Sequence, residues 1–364
     1  MKLSCTVDKL RSKINLSGRV IGKNLSLPVL NSILLDVKKE RLTIKATNLE
    51  VGVELQIPAK VEKEGVCAVS GGVLQNFLSV LTNQEVVNIE LIKNTLSIST
   101  KNNSTLIKTI PHEDFPVIPK TSGSQKEISS KQFIDGIKAV WFSSSTSDIK
   151  PEIASVYIYT SGGNTIFVAT DSFRLTEKKI PIKNFETDGL LIPYRNALEI
   201  VKFFEENTED LVILFNKNQL SFQTKDTYLT TRLTDGVYPD YKQIIPKEFK
   251  TQVVVLKQEL ANALKIANIF SDEFSRITVR VMPEDGRMEI ESKNANIGEN
   301  VTKIDAHLEG ASTEASFNHK YLGDVLPVFQ TDSVSLKFNE PNKPLVITNV
   351  GDGSLMYLVM PINR

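Results

Sequence analysis

Few residues of this 364-residue chain have the types and spacing that chemistry needs. The strongest set is Thr170-Asp171-Ser172 followed by Phe173, Arg174 and Leu175, where an acid and a cation stand three positions apart. One reading is an acid–cation pair in a site, which makes a hydrolase centred on Asp171 and Arg174 conceivable. The other is an aspartate that caps a corner, with an arginine packed beside it. The remaining candidates thin out quickly. His112, His307 and His319 have no metal-ligand spacing, and no His-Glu-x-x-His, Cys-x-x-Cys, Gly-x-Ser-x-Gly or Walker-type loop occurs. Gly351-Asp352-Gly353-Ser354 joins two strand-like runs and is not followed by a helix, so it reads as a hairpin turn. No catalytic residue, metal or cofactor is expected.

Length favours two or three domains, and a 41% hydrophobic share is enough for several buried cores. The longest apolar runs fall far short of a membrane span, and the start Met1-Lys2-Leu3-Ser4-Cys5 lacks the apolar stretch of a signal peptide. Two cysteines, Cys5 and Cys67, cannot make a disulfide framework and read as buried thiols of a reducing compartment. A cytoplasmic protein is expected. Lysine plus arginine equals aspartate plus glutamate, 43 against 43, so bulk charge gives no sign of a nucleic-acid partner.

The elements that must position the Thr170–Leu175 corner are repeated. Apolar residues at helical spacing occur at Val7, Leu10, Ile14 and Ile21, at Phe133, Ile137, Val140 and Trp141, and at Leu256, Leu260, Leu264, Ala267 and Phe270. Strand-like alternation follows each, then a polar corner at Thr47-Asn48, Thr170-Asp171 and Lys293-Asn294, spaced 123 residues both times. A shorter second helix comes next. It spans Leu74–Leu81, then Ala197–Phe204 entered through Pro193, then Tyr321–Phe329 with Asn318 as N-cap and Pro327 cutting it short. Hairpins close the copies, turning at Lys93-Asn94, Lys217-Asn218 and Pro341-Asn342. The pattern predicts an α+β protein of three tandem domains, each with two helices packed on antiparallel sheets, over residues 1–122, 127–247 and 250–364.

Charge is uneven at the level of elements. The six helical segments carry 12 basic and 7 acidic residues, so the remainder of a neutral chain is acidic. Charged helix faces are usually just solvated. A weakly basic helical lining that meets phosphates without reading sequence is the functional alternative.

Ala169–Leu175, Tyr238-Pro239-Asp240-Tyr241, Leu27-Pro28-Val29-Leu30 and the ending Tyr357-Leu358-Val359-Met360-Pro361-Ile362, set in three α+β copies, resemble the bacterial replicative sliding clamp family, the β subunit of DNA polymerase III. The likeness covers the whole chain in order. It implies three copies of the DNA-clamp domain closing as a head-to-tail homodimer into a ring around duplex DNA. Twelve lining helices at a spacing of ~9 Å give a bore of roughly 35 Å, wide enough for a hydrated duplex. The implied function is a non-catalytic processivity factor of the polymerase III holoenzyme, encircling DNA independently of sequence. A three-domain scaffold that never touches DNA remains the other non-enzymatic reading.

The resemblance also implies site residues. A cleft for short peptide motifs of the polymerase α subunit, the clamp loader, other polymerases and repair proteins would be walled by Ile153, Thr170, Ser172, Phe173, Arg174, Leu175, Pro239, Gln243, Ile244, Tyr321, Leu358, Met360, Pro361, Ile362, Asn363 and Arg364. Lys9, Lys13, Arg19, Lys23, Lys138, Arg195 and Lys202 would face DNA, and Ile107, Ile269 and Phe270 would sit at the subunit seam. The chain departs from the family pattern at Ser172 and Phe173, where glycine and often histidine are usual, and at Gln243, where arginine is frequent. The acidic cluster expected near 297–302 is largely absent, which points to a seam that relies on apolar packing.

Overall fold

The computed structural model describes residues 1–22, 27–81 and 85–362. Among the described residues six α-helices form where the apolar spacing puts them: α1 (Val7–Gly18), α2 (Gly71–Val80), α3 (Ser130–Val140), α4 (Tyr194–Phe204), α5 (Lys257–Ile269) and α6 (His319–Asp324). The periodic residues are the inward ones. Val7, Leu10 and Ile14 of α1 are buried, as are Leu260, Leu264 and Ala267 of α5. Ile21, Trp141 and Phe270 extend the spacing in sequence but lie past the helix ends. The Asn318 side chain accepts the Lys320 amide at 2.9 Å, and a 3-10 turn at Leu326–Val328 takes over where Pro327 removes a donor.

The chain divides into two compact units: residues 1–131 with 198–233, and 132–197 with 234–364. Their boundaries cut across the threefold repeat, and strand pairing is the reason. In the first unit Thr227–Arg232, from the second copy, pairs antiparallel with Val51–Pro58 of the first, Thr227 opposite Leu55 and Thr231 opposite Val51. The result is a thirteen-stranded sheet. In the second unit Arg174–Ile180 pairs with Leu355–Val359 of the third copy within a nine-stranded sheet, and a four-stranded sheet lies beside α5. Joining copies edge to edge satisfies backbone donors and acceptors that an isolated domain would leave open.

The first two corners match bond for bond. The Thr47 hydroxyl donates to the Val51 carbonyl oxygen at 2.9 Å and accepts the Leu49 amide at 3.0 Å, while Asn48 Oδ1 accepts the amides of Glu50 and Val51. Thr170 and Asp171 repeat that pattern with the Arg174 carbonyl and the amides of Ser172, Phe173 and Arg174. Leu49 (φ 76°) and Ser172 (φ 78°) occupy the same left-handed position. One close approach demands glycine: a Cβ on Gly136 of α3 would come within 2.4 Å of the buried Phe167 ring. Gly351–Ser354 is the turn between strands Leu345–Asn349 and Leu355–Val359, with Asp352 capping the Ser354 amide.

Candidate partner-binding cleft, basic helices and seam

All the described cleft residues lie in the second unit, and strand pairing brings them together. Arg174 stands opposite Val359, and Leu175 opposite Leu358. Past the strand, the Met360 amide donates to the Phe173 carbonyl oxygen at 2.8 Å and the Ile362 amide to that of Ser316 at 2.7 Å. The C-terminal segment is thus tied to the corner by its own backbone. Asn363 and Arg364 lie outside the described residues.

Arg174 is the rivet. Its Nε donates to Asp171 Oδ2 at 2.9 Å, Nη1 to Asp324, and Nη2 to the Phe142 carbonyl oxygen at 2.8 Å. The guanidinium lies 4.6 Å from the centroid of the Tyr321 ring, which stacks on Phe173 at 6.5 Å. Burial alone would weaken its charge, but the Tyr357 hydroxyl and the carboxylates of Asp324 and Asp171 outweigh that and hold the proton more tightly than usual. With Asp171 capping two amides and Arg174 bonded to protein acceptors on three nitrogens, both groups are committed to the corner. The acid–cation pair is structural, which removes the basis for a hydrolase there.

The residues expected to wall the cleft divide by burial. Ile153, Thr170, Leu175 and Leu358 are buried. Leu175 and Leu358 pack with Tyr159, Ile166, Val168, Leu191, Tyr238, Tyr241 and Val346, and Met360 sits at the margin of this cluster. Ser172, Phe173, Pro239, Gln243 and Ile244 are exposed, while Arg174, Tyr321, Met360, Pro361 and Ile362 are half-buried. Phe173 is 60% exposed and Ile244 47%, a large apolar presence over an apolar floor. The connector carrying Pro239, Gln243 and Ile244 is held from below. Tyr241 bonds Glu177 and, at 2.8 Å, Tyr159, while the Tyr238 ring stacks on Tyr157 at 4.7 Å. Burial foremost, then the bond to Glu177, pushes the Tyr241 hydroxyl far above its ordinary range, so it stays a donor. The supporting residues Asp324, Phe142, Glu177, Tyr241 and Tyr159 had no spacing signal in the sequence, because they meet the cleft through tertiary contacts alone.

The basic residues divide by environment. In the first unit Lys9 is exposed on α1, whereas Lys13 reaches Asp226 at 2.9 Å and the Thr227 hydroxyl at 3.2 Å. Arg19 and Lys202 both bind Glu199, each at 3.2 Å. In the second unit Lys138 is exposed on α3, and Arg195 bonds the Tyr194 hydroxyl at 3.1 Å and lies 3.6 Å from Asp148. Lys23 lies outside the described residues. Of the seam residues, Ile269 is 61% exposed and Phe270 is half-buried at the end of α5. Ile107 is 5% exposed on strand Ser104–Ile110 and its neighbour Leu106 is 68% exposed, because alternate residues face opposite sides. Ile266, Phe274, Ile297 and Val301 of the same unit are also exposed.

Among the described residues no group of three or more His, Cys, Asp or Glu could hold a metal, and no helix is long and apolar enough to cross a membrane. Comparison with known proteins places this architecture. Residues 1–119, 127–240 and 242–363 match, in order, the N-terminal, central and C-terminal domains of the DNA polymerase III beta subunit. The chain is 28% identical to the beta sliding clamp of Synechococcus elongatus over 374 aligned positions, covering 100% of this chain and 99% of that one. The crystal structure of the DNA polymerase III beta subunit of Thermotoga maritima superposes with a TM-score of 0.94 at 26% identity, covering 100% and 99% of the two chains. A Pseudomonas aeruginosa sliding clamp bound to griselimycin has the same fold, with a TM-score of 0.94 at 23% identity and full coverage of both chains. Matched by all three domain families from its first residue to within one of its last, the chain belongs to the DNA polymerase III beta subunit family.

Proposed function

We propose that this chain is a DNA sliding clamp, a non-catalytic processivity factor that encircles duplex DNA as a head-to-tail dimer and tethers the replicative polymerase and other partners. Three clamp domains, 1–122, 127–247 and 250–364, carry the lining helices. Lys9, Lys13, Arg19, Lys138, Arg195 and Lys202 supply a sequence-blind basic surface. Leu106, Ile269 and Phe270 belong to the seam, where apolar side chains take the place of the missing acidic cluster.

The observation that carries the reading is the tying of the C-terminal segment to the central corner. Met360 bonds the Phe173 carbonyl, and Arg174 fixes Tyr321 beneath Phe173. This produces a pre-formed apolar slot rimmed by backbone, suited to Leu and Phe anchors of a partner peptide. Met360 at its edge can adapt to different ligands. Retention on DNA is the test. A clamp loaded onto a circular plasmid stays bound through gel filtration and is lost when the plasmid is linearised. Equal behaviour on circular and linear DNA, or no retention on either, would overturn the reading.

A further inference from the structure

The basic helices of the first unit carry their own restraint. Glu199 of α4 sits between two cations, Arg19 just past the end of α1 and Lys202 one turn on, with both nitrogens 3.2 Å from its carboxylate. A second acid does the same for α1 itself, since Asp226 holds Lys13 at 2.9 Å. These contacts are partly sheltered: the side chains are 22% exposed at Glu199, 30% at Lys202, 39% at Arg19 and 18% at Lys13. Partial burial pushes the Asp226 carboxyl up, but the hydrogen bond and charge of Lys13 outweigh it and hold the group below the usual carboxylate range. The Asp226 carboxylate is therefore charged at neutral pH.

A cation already neutralised at 3 Å by a fixed carboxylate releases few counterions when a phosphate passes, and each full phosphate contact steepens the salt dependence of binding by about 0.9 in log–log slope. We infer that Glu199, with Asp226, is an attenuating residue: it holds Arg19, Lys202 and Lys13 in intramolecular pairs so that the lining meets DNA phosphates weakly and the protein moves along the duplex. The inference rests on the proposal that these helices face DNA. Its chemistry is electrostatic, and the ligand is the phosphate backbone of duplex DNA, independent of sequence.

The test uses the full-length protein and a short linear duplex, on which encirclement cannot retain it. Glu199→Gln keeps the side chain's shape and frees two cations. Asp226→Asn is a second, independent variant that frees Lys13. Glu113→Gln, at an exposed acid 3.8 Å from His112, makes the same change in net charge. Affinity is measured by fluorescence anisotropy between 20 and 200 mM salt, with melting temperatures confirming folding. The expected result is several-fold tighter binding at low salt and a slope steeper by about two for Glu199→Gln and about one for Asp226→Asn. Slopes for both variants equal to that of Glu113→Gln overturn the inference. Wild-type retention on circular DNA is scored separately, so failure of the clamp reading and failure of the attenuation are distinguishable.

Discussion

The backbone amide of Met360 donates to the carbonyl oxygen of Phe173 at 2.8 Å, joining residues 187 positions apart immediately beyond the pairing of Leu175 with Leu358. This one bond joins the corner to the C-terminal segment, the two walls of the proposed slot. It also fixes which side chains stay free. Backbone groups hold the slot together, so Phe173 and Ile244 remain available for a partner.

Phe173→Ala removes a mostly exposed ring and its stack on Tyr321, so the melting temperature should change little. Affinity for a polymerase-tail peptide should fall about tenfold, the size expected when a central aromatic anchor is lost. Titration by fluorescence anisotropy decides it. A variant that binds as tightly as the parent would remove Phe173 from the cleft.

Arg174→Ala should destabilise the second unit by about 3 kcal/mol, the usual cost of removing one partner from a largely buried ion pair. Its side chain is 11% exposed and its loss removes the donors to Asp171 Oδ2 and to the Phe142 carbonyl oxygen. Urea unfolding reads the loss. Arg174→Lys should recover only part of it, since one ammonium cannot span three acceptors.

Ser172 holds φ at 78°, where a β-branched side chain is strongly disfavoured. Ser172→Val should cost about 1–2 kcal/mol and loosen the corner, measured by thermal unfolding and by faster amide exchange at Phe173 and Arg174.

Leu106→Asp and Ile269→Asp place a charge on exposed apolar positions without entering the core. Each should shift sedimentation from dimer towards monomer, and the parent dimer should persist in 1 M salt because its seam lacks the acidic cluster. Dissociation of the parent by salt alone would contradict an apolar seam.

Burial pushes the Cys5 and Cys67 thiols up from their ordinary 9.0 to about 12. The folded state therefore holds these protons more tightly than the unfolded chain. Their stabilising contribution is complete below pH 9 and is lost as pH rises from about 9 to about 12. Native protein should resist alkylation at pH 8, with both thiols reacting only after denaturation, as mass spectrometry would show.

The local features were legible because they are local. Helical spacing at Val7–Ile14 and Leu256–Ala267, the Asn318 cap, the hairpin turns and the 123-residue corner interval each depend on neighbours a few residues away. Binary pattern, capping and turn chemistry encode them directly. The resemblance of the corner and the C-terminal run then pointed to the family and to a cleft between them.

Tertiary structure alone decided how the copies join and what each charged side chain does. Strand register sets Thr227 against Leu55 and Arg174 against Val359, making the compact units cut across the repeat. In these two pairs the neighbour across the sheet lies more than 170 positions away, and a shift of one residue reverses every side chain. That parity turned Ile107 inward and Leu106 outward. The same holds for charge. Lys202 and Glu199 are neighbours one turn apart on a single helix, but only the fold brought Glu199 to within 3.2 Å of Arg19 and Asp226 to within 2.9 Å of Lys13. Composition counts charges, but Coulomb energy depends on distance, and distance is what folding sets.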